Sequence, residues 1–175
     1  MQIVLRKIMT GQKKGMSMKN PDILILGIGN LLLRDEGVGV HVAQKMMEME
    51  LPPGIEVMDG GTMGMNLLYH IENRDRVIVV DTVMVGDPPG TIYRFTDESL
   101  VQNKPMLRTA HGIDFTDVIR TAEMLGTKPK EIIFVGIEPA DMSEGIGLSE
   151  VIEKRVPTLI KMVMRELEAE ESQQP

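Results

Sequence analysis

The stretch from Ile23 to Gly39, ILILGIGNLLLRDEGVG, constrains the fold more than any other part of the chain. Four consecutive aliphatic residues, Ile23 to Leu26, stand between Pro21-Asp22 and Gly27, so both alternating faces of the segment are apolar. A strand of that kind has to be covered on both sides, as parallel strands inside α/β sheets are. The run ends in glycines and passes through Asp35-Glu36-Gly37 into a helical pattern. Open α/β sheets bind ligands outside the carboxyl ends of their strands, so the loop from Gly27 to Gly39 is where chemistry is expected.

Gly27 and Gly29 begin a G-x-G pattern, but Leu32 occupies the third glycine position of a dinucleotide loop, and no Lys or Ser/Thr follows as in a phosphate loop. A nucleotide-binding oxidoreductase is therefore a distant reading. What the loop offers instead is two carboxylates at the mouth of a helix, where each can either cap the helix or hold a cation.

Beyond this loop the chain alternates between the two periods of regular structure. Val38, Val42, Met46 and Met49 form a helical stripe ending before Pro52-Pro53-Gly54. Ile55 to Met58 reads as a second strand, with Asp59-Gly60-Gly61-Thr62 as the turn at its carboxyl end, and Leu67, Leu68 and Ile71 as a short helix. Arg76 to Val80 is the strongest buried-strand signal and ends at Asp81. Thr91 to Phe95 follows after so short a link that it is expected as an antiparallel neighbour of that strand. Ser99 to Ala110 has no period and reads as a mobile loop ending at His111. Phe115, Val118, Ile119 and Ala122 predict a helix, Ile132 to Ile137 a last strand, Ser149 a cap, and Val156 to Leu167 a long final helix with Pro157 in its first turn. The sum is a three-layer α/β/α sandwich with a mostly parallel sheet and one antiparallel strand.

Length and charge limit the rest. At 175 residues, 42% apolar, the chain accommodates one domain, here residues 21–170, between an extension at 1–20 and a frayed tail at 171–175. The extension is basic but has neither the apolar run nor the small-residue site of a signal peptide, and Met16 or Met18 is an alternative start of the folded part. A net charge of −7 without a basic stripe argues against nucleic acid, and no apolar segment approaches membrane-spanning length. The absence of cysteine excludes disulfides, thiolate metal sites and a cysteine nucleophile, and fits a reducing cytoplasm. Sixteen methionines against three Phe, two Tyr and no Trp indicate a core filled by flexible side chains rather than a methionine metal site.

Three ionisable groups stand at strand or loop ends: Glu36, Asp81 and His111. Two carboxylates and an imidazole suit a borderline divalent ion such as Ni²⁺ or Zn²⁺ and leave positions open for water or substrate. Each also has a plain structural role open to it: Glu36 as a cap, Asp81 in an Asx turn with Thr82, His111 at a helix start. His41 and His70 lie within predicted helices. Neither G-x-S-x-G nor H-E-x-x-H occurs, so a peptidase on this chain needs a metal-bound water or a substrate-borne metal, with a carboxylate as base.

The motifs resemble one family in order along the chain: GIGNLLLRDEGVG at 27–39, DGGTMG at 59–64, VIVVDTV at 77–83, PPGTIYRF at 88–95, HGIDF at 111–115, then GIEP and GLSE. This pattern is similar to that of the nickel-iron hydrogenase maturation endopeptidases over about residues 20–168. The resemblance implies a phosphorylase/hydrolase-like α/β/α fold with a five-stranded mixed sheet. It also implies a peptidase that clips the C-terminal extension of the hydrogenase large subunit precursor after nickel insertion, a type also classed with aspartyl endopeptidases. Glu36, Asp81 and His111 fall on the family's metal-recognition positions, with the nickel carried by the substrate and a surrogate divalent ion able to take its place. Gly60, Gly61 and Thr62 are expected to receive the extended tail. The other class of function open to the chain is a nickel-dependent binding or checkpoint protein that holds the same precursor without cutting it. The oligomeric state is not legible.

Overall fold

A computed structural model describes residues 22–98 and 115–168. Strand β1 (Ile23–Ile28) leads through a single 3₁₀ turn at Arg34–Gly37 into helix α1 (Val38–Met47). Strand β2 (Ile55–Gly61) is followed by a second 3₁₀ turn, Gly64–Leu67, and the one-turn helix α2 (Leu68–Ile71). Strands β3 (Arg76–Thr82) and β4 (Ile92–Thr96) come next, then helix α3 (Phe115–Leu125) and strand β5 (Glu131–Ile137). The short helix α4 (Glu150–Glu153) and the long helix α5 (Val156–Glu168) complete the order.

The five strands form one sheet in the order β2-β1-β3-β5-β4. The β1–β2, β1–β3 and β3–β5 pairs are parallel, and β4 runs antiparallel to β5. The alternation read in β1 and β3 sorts their side chains into two cores. Leu24, Leu26, Val77 and Val79 pack with Leu67, Ile71, Phe115, Val118, Ile119 and Ala122 on the α2–α3 face. Ile25, Ile78 and Val80 pack with Val38, Val42, Met46, Leu159 and Val163 on the α1–α5 face. Each such aliphatic side chain, moved out of water, contributes roughly 1.5–3 kcal/mol, so a sheet buried on both faces outweighs its own ordering cost only because both helical layers are present. At the β4–β5 end, the rings of Phe95 and Phe134 stack with centroids 5.0 Å apart, and Phe115 meets Phe134 edge-on at 5.8 Å.

Three expectations are corrected. The antiparallel strand neighbours β5 rather than β3, because β3 is already flanked by β1 and β5. The connection crosses the end of β5, where Val83 N–H donates to Ile137 O and Gly90 N–H to Glu138 O. Second, α1 stops at Met47, and Met49, expected on the buried stripe, is 40% exposed. Third, Asp59, Gly60 and Gly61 are strand, not turn: Gly27 pairs with Asp59 and Ile28 with Gly61, the register slipping by one residue at Gly60. A bulge of this kind re-aims the strand end, and Gly61 takes it up at φ +43°. The extension at 1–20, the tail at 171–175 and the segment Ser99 to His111 lie outside the described residues, while Ser149 and Pro157 stand where the sequence put them, Ser149 Oγ accepting from Ile152 N–H. Among the described residues no helix is long and apolar enough to cross a membrane.

Candidate active site

The carboxyl edge of the sheet is assembled by one close approach. A Cβ built on Gly27, at the end of β1, would stand 2.1 Å from Gly39 O and 2.7 Å from the Ala43 side chain. Two glycines therefore let the first turn of α1 lie directly on the strand end, which seats the preceding turn, Arg34–Gly37, against β3. Glu36 rides on that turn and is 2% exposed; Asp81, in the last residues of β3, is 5% exposed. The parallel register sets Gly27 level with Val80, so Asp81 stands one step beyond the β1–β3 ladder.

Burial raises the Glu36 carboxyl above its ordinary pKa, because a charge removed from water is disfavoured. Asp81 Oδ1 accepts from Thr82 N–H at 2.7 Å, the Asx-type contact expected of it as a structural residue. The cap reading of the two acids does not hold. Gly37 is the N-cap of α1 and no side chain caps it. Asp35 turns instead to the loop after β5: Oδ2 accepts from Ala140 N–H (2.9 Å), Asp141 N–H (2.8 Å) and Ser149 Oγ–H (2.8 Å), and Oδ1 from Ser149 N–H (2.7 Å). Among the described residues no three His, Cys, Asp or Glu side chains are grouped to hold an ion. His111 lies outside them, and Glu36 and Asp81 supply only hard oxygen donors.

A cleft of about 180 Å³ opens between the loops after β1 and β2, lined by Gly29, Asn30, Leu31, Val40, Asp59, Gly61 and Thr62, with neither Glu36 nor Asp81 in its lining. Of the three residues expected to receive a peptide, Gly61 and Thr62 line it. Gly60 does not: it is buried, and a Cβ there would strike Leu26 Cδ1 at 2.7 Å. Asp59, passed over in the sequence as a turn residue, adds a carboxylate to the cleft and accepts from Gln44 Nε2 at 3.1 Å. Its position at a strand end before two glycines was the available signal.

A second acidic knot sits under the loop after Asp81. Glu138 is 7% exposed and accepts from Val85 N–H (2.8 Å), Gly86 N–H (3.1 Å) and Tyr93 OH (3.2 Å). Tyr93 OH also lies 2.9 Å from Asp87 Oδ2, and burial together with the two carboxylates holds its proton well above the usual phenol range. Of the remaining histidines, His70 lends its main-chain oxygen to Arg74 Nε (2.8 Å), and His41 lies on α1.

A five-stranded mixed sheet between helices, with buried carboxylates and a cleft at its carboxyl edge, defines a three-layer α/β protein with its candidate site in the loops after the strands. Residues 40–166 match the family model described as hydrogenase maturation protease. The chain is 36% identical over 152 residues to the hydrogenase expression/formation protein HupM of Azotobacter chroococcum, covering 85% of this chain and 73% of that one. It is 33% identical over 147 residues to the hydrogenase 2 maturation protease of Escherichia coli, covering 83% and 90%. Among solved structures, the hydrogenase maturating endopeptidase HybD from E. coli superposes with a TM-score of 0.78 at 32% identity, covering 85% of this chain and 93% of that one. The chain belongs to the hydrogenase maturation protease family, and its activity is that of a protease.

Proposed function

We propose that the chain is the endopeptidase that removes the C-terminal extension of a nickel-loaded hydrogenase large subunit precursor. In this reading Glu36, Asp81 and His111 contact the nickel that the precursor carries, and the tail lies extended in the cleft at Gly61 and Thr62. The metal belongs to the substrate and marks it as mature. A carboxylate of the pair then serves as base toward the attacking water.

The observation that carries the reading is that two carboxylates, each at least nine-tenths buried, stand on neighbouring elements at one sheet edge, the edge at which a cleft opens between the loops after β1 and β2. Buried carboxylates at a strand edge favour a cation, since a positive charge offsets the desolvation that raises Glu36. Imidazole with two carboxylates is a donor set suited to a borderline divalent ion. The family and the HybD likeness support the peptidase chemistry.

Mass spectrometry of the precursor before and after incubation tests it. Loss of a C-terminal peptide from nickel-loaded but not nickel-free precursor is expected. Stable binding without mass loss would assign the chain to the checkpoint class, and equal cleavage of both forms would remove nickel from recognition.

A further inference from the structure

We infer that Asp35 is a positioning residue for this reaction: its buried carboxylate fixes the turn that carries Glu36 by tying it to the loop 138–149 after β5. The inference rests on the reading that Glu36 meets the substrate's nickel.

The two segments are joined along their length. Arg34 N–H donates to Gly145 O (3.0 Å), Asp35 N–H to Asp141 O (3.1 Å), and Gly145 N–H to Leu32 O (2.8 Å). At the centre stands the Asp35 carboxylate, 0% exposed, taking four donors from Ala140, Asp141 and Ser149. Only an ionised carboxylate has lone pairs for four donors and no hydrogen of its own to misplace. An amide would turn an N–H toward one of these N–H or O–H groups.

The turn needs that restraint. Arg34 has φ 46°, a left-handed backbone that non-glycine residues hold only when their surroundings enforce it. Arg34 Nε lies 3.3 Å from Asp141 Oδ2, and a side chain on Gly145 would strike Arg34 Nε at 2.9 Å. When the tie is cut, Arg34 has reason to relax to negative φ. Two residues along the backbone, such a change redirects Glu36. The four hydrogen bonds that the Asp35 carboxylate accepts all come from the loop after β5, so its effect passes through Glu36.

The test is steady-state processing of nickel-loaded precursor by Asp35→Asn, Ser149→Ala, Ser149→Thr and Glu36→Gln, at a temperature where circular dichroism shows each folded. A misdirected ligand weakens recognition, so Asp35→Asn is expected to raise KM about tenfold or more, as lost supports of metal ligands do, with kcat nearly unchanged. A purely structural role lowers the folded fraction, which reduces apparent kcat and leaves KM alone. Ser149→Ala removes one of the four bonds and should raise KM about threefold. Ser149→Thr keeps the hydroxyl and should restore it. An unchanged KM in folded Asp35→Asn overturns the inference. If that variant does not fold, an unchanged KM in Ser149→Ala overturns it instead. Impaired Glu36→Gln beside normal Asp35→Asn sinks the positioning role alone, whereas normal Glu36→Gln removes Glu36 from recognition and both readings fall.

Discussion

A Cβ placed on Gly39 would stand 2.1 Å from the carbonyl oxygen of Val80, the residue before Asp81. The first turn of α1 therefore rests on the end of β3 as well as on β1, where Ile28 O would be 2.3 Å away. Both obstacles are backbone carbonyls in the sheet, which cannot swing aside as a side-chain tip would. Gly39→Ala is expected to destabilise by roughly 3 kcal/mol, the upper end for overpacking, and to lower the melting temperature by roughly 6–12 °C. Gly54→Ala is the control: its φ of +86° costs about 1 kcal/mol, with no atom within 4 Å of the added methyl. Thermal melts that rank the two variants the other way would contradict the packing described.

Glu36 makes stability depend on pH with a definite sign. Its folded pKa lies above the ordinary 4.5, so between 4.5 and the raised value the folded chain holds a proton that the unfolded chain has released. The contribution of protonated Glu36 is complete below pH 4.5 and is lost as pH rises through the raised value, beyond which the folded state carries the cost of a buried charge. Glu36→Gln removes that cost. Its melting temperature is expected to exceed the parent's at pH 8, with the difference narrowing toward pH 4.5, while its processing falls. A difference that grows on acidification would reverse the assignment.

His111→Ala is expected to abolish processing while the protein stays folded, since it removes the only nitrogen of the proposed triad. Asp81→Asn should act similarly, because the amide keeps the shape and removes the charge. Loss of one ligand should weaken nickel recognition at least roughly tenfold. His70→Ala should process normally, as Arg74 uses the His70 carbonyl, not its ring. Near-normal cleavage by folded His111→Ala would leave the carboxylate pair as the whole mechanism.

The sheet was legible because its strands announce themselves: Leu24 to Leu26 and Val77 to Val80 are apolar on consecutive residues, which only two-sided cover explains. The position of β4 was not legible, since neighbour choice depends on which edge of the sheet is vacant, a property of the assembled fold. Glu36 and Asp81 stood out by their strand-end positions. Asp35 was noted as a carboxylate at the helix mouth, but its role was not legible, because its partners lie over a hundred residues away and no local spacing encodes them. Glu138 was hidden likewise, its donors coming from the loop after β3. Asp59 was lost to the bulge, which makes a turn-like Asp-Gly-Gly continue as strand.

Removal of residues 1–18 is expected to leave melting temperature and processing rate unchanged, because the segment has no core-forming period and precedes β1. A fall of several degrees would show that it packs on the domain.

Glu138→Gln should loosen the loop that follows Asp81. The carboxylate offers one oxygen to Val85 N–H and Tyr93 OH and the other to Gly86 N–H. A glutamine has one oxygen and one amide nitrogen, so either orientation sets an N–H against a backbone N–H. Leaving such a donor unmet in a buried place costs about 1–3 kcal/mol. Hydrogen exchange should read this directly, with the Val85 and Gly86 amides losing protection while amides of the β1–β3 ladder keep theirs. Because the loop begins within a few residues of Asp81, processing should fall in the same variant. Unchanged protection at both amides would mean that the main-chain bonds across β5, Val83 N–H to Ile137 O and Gly90 N–H to Glu138 O, hold the loop unaided.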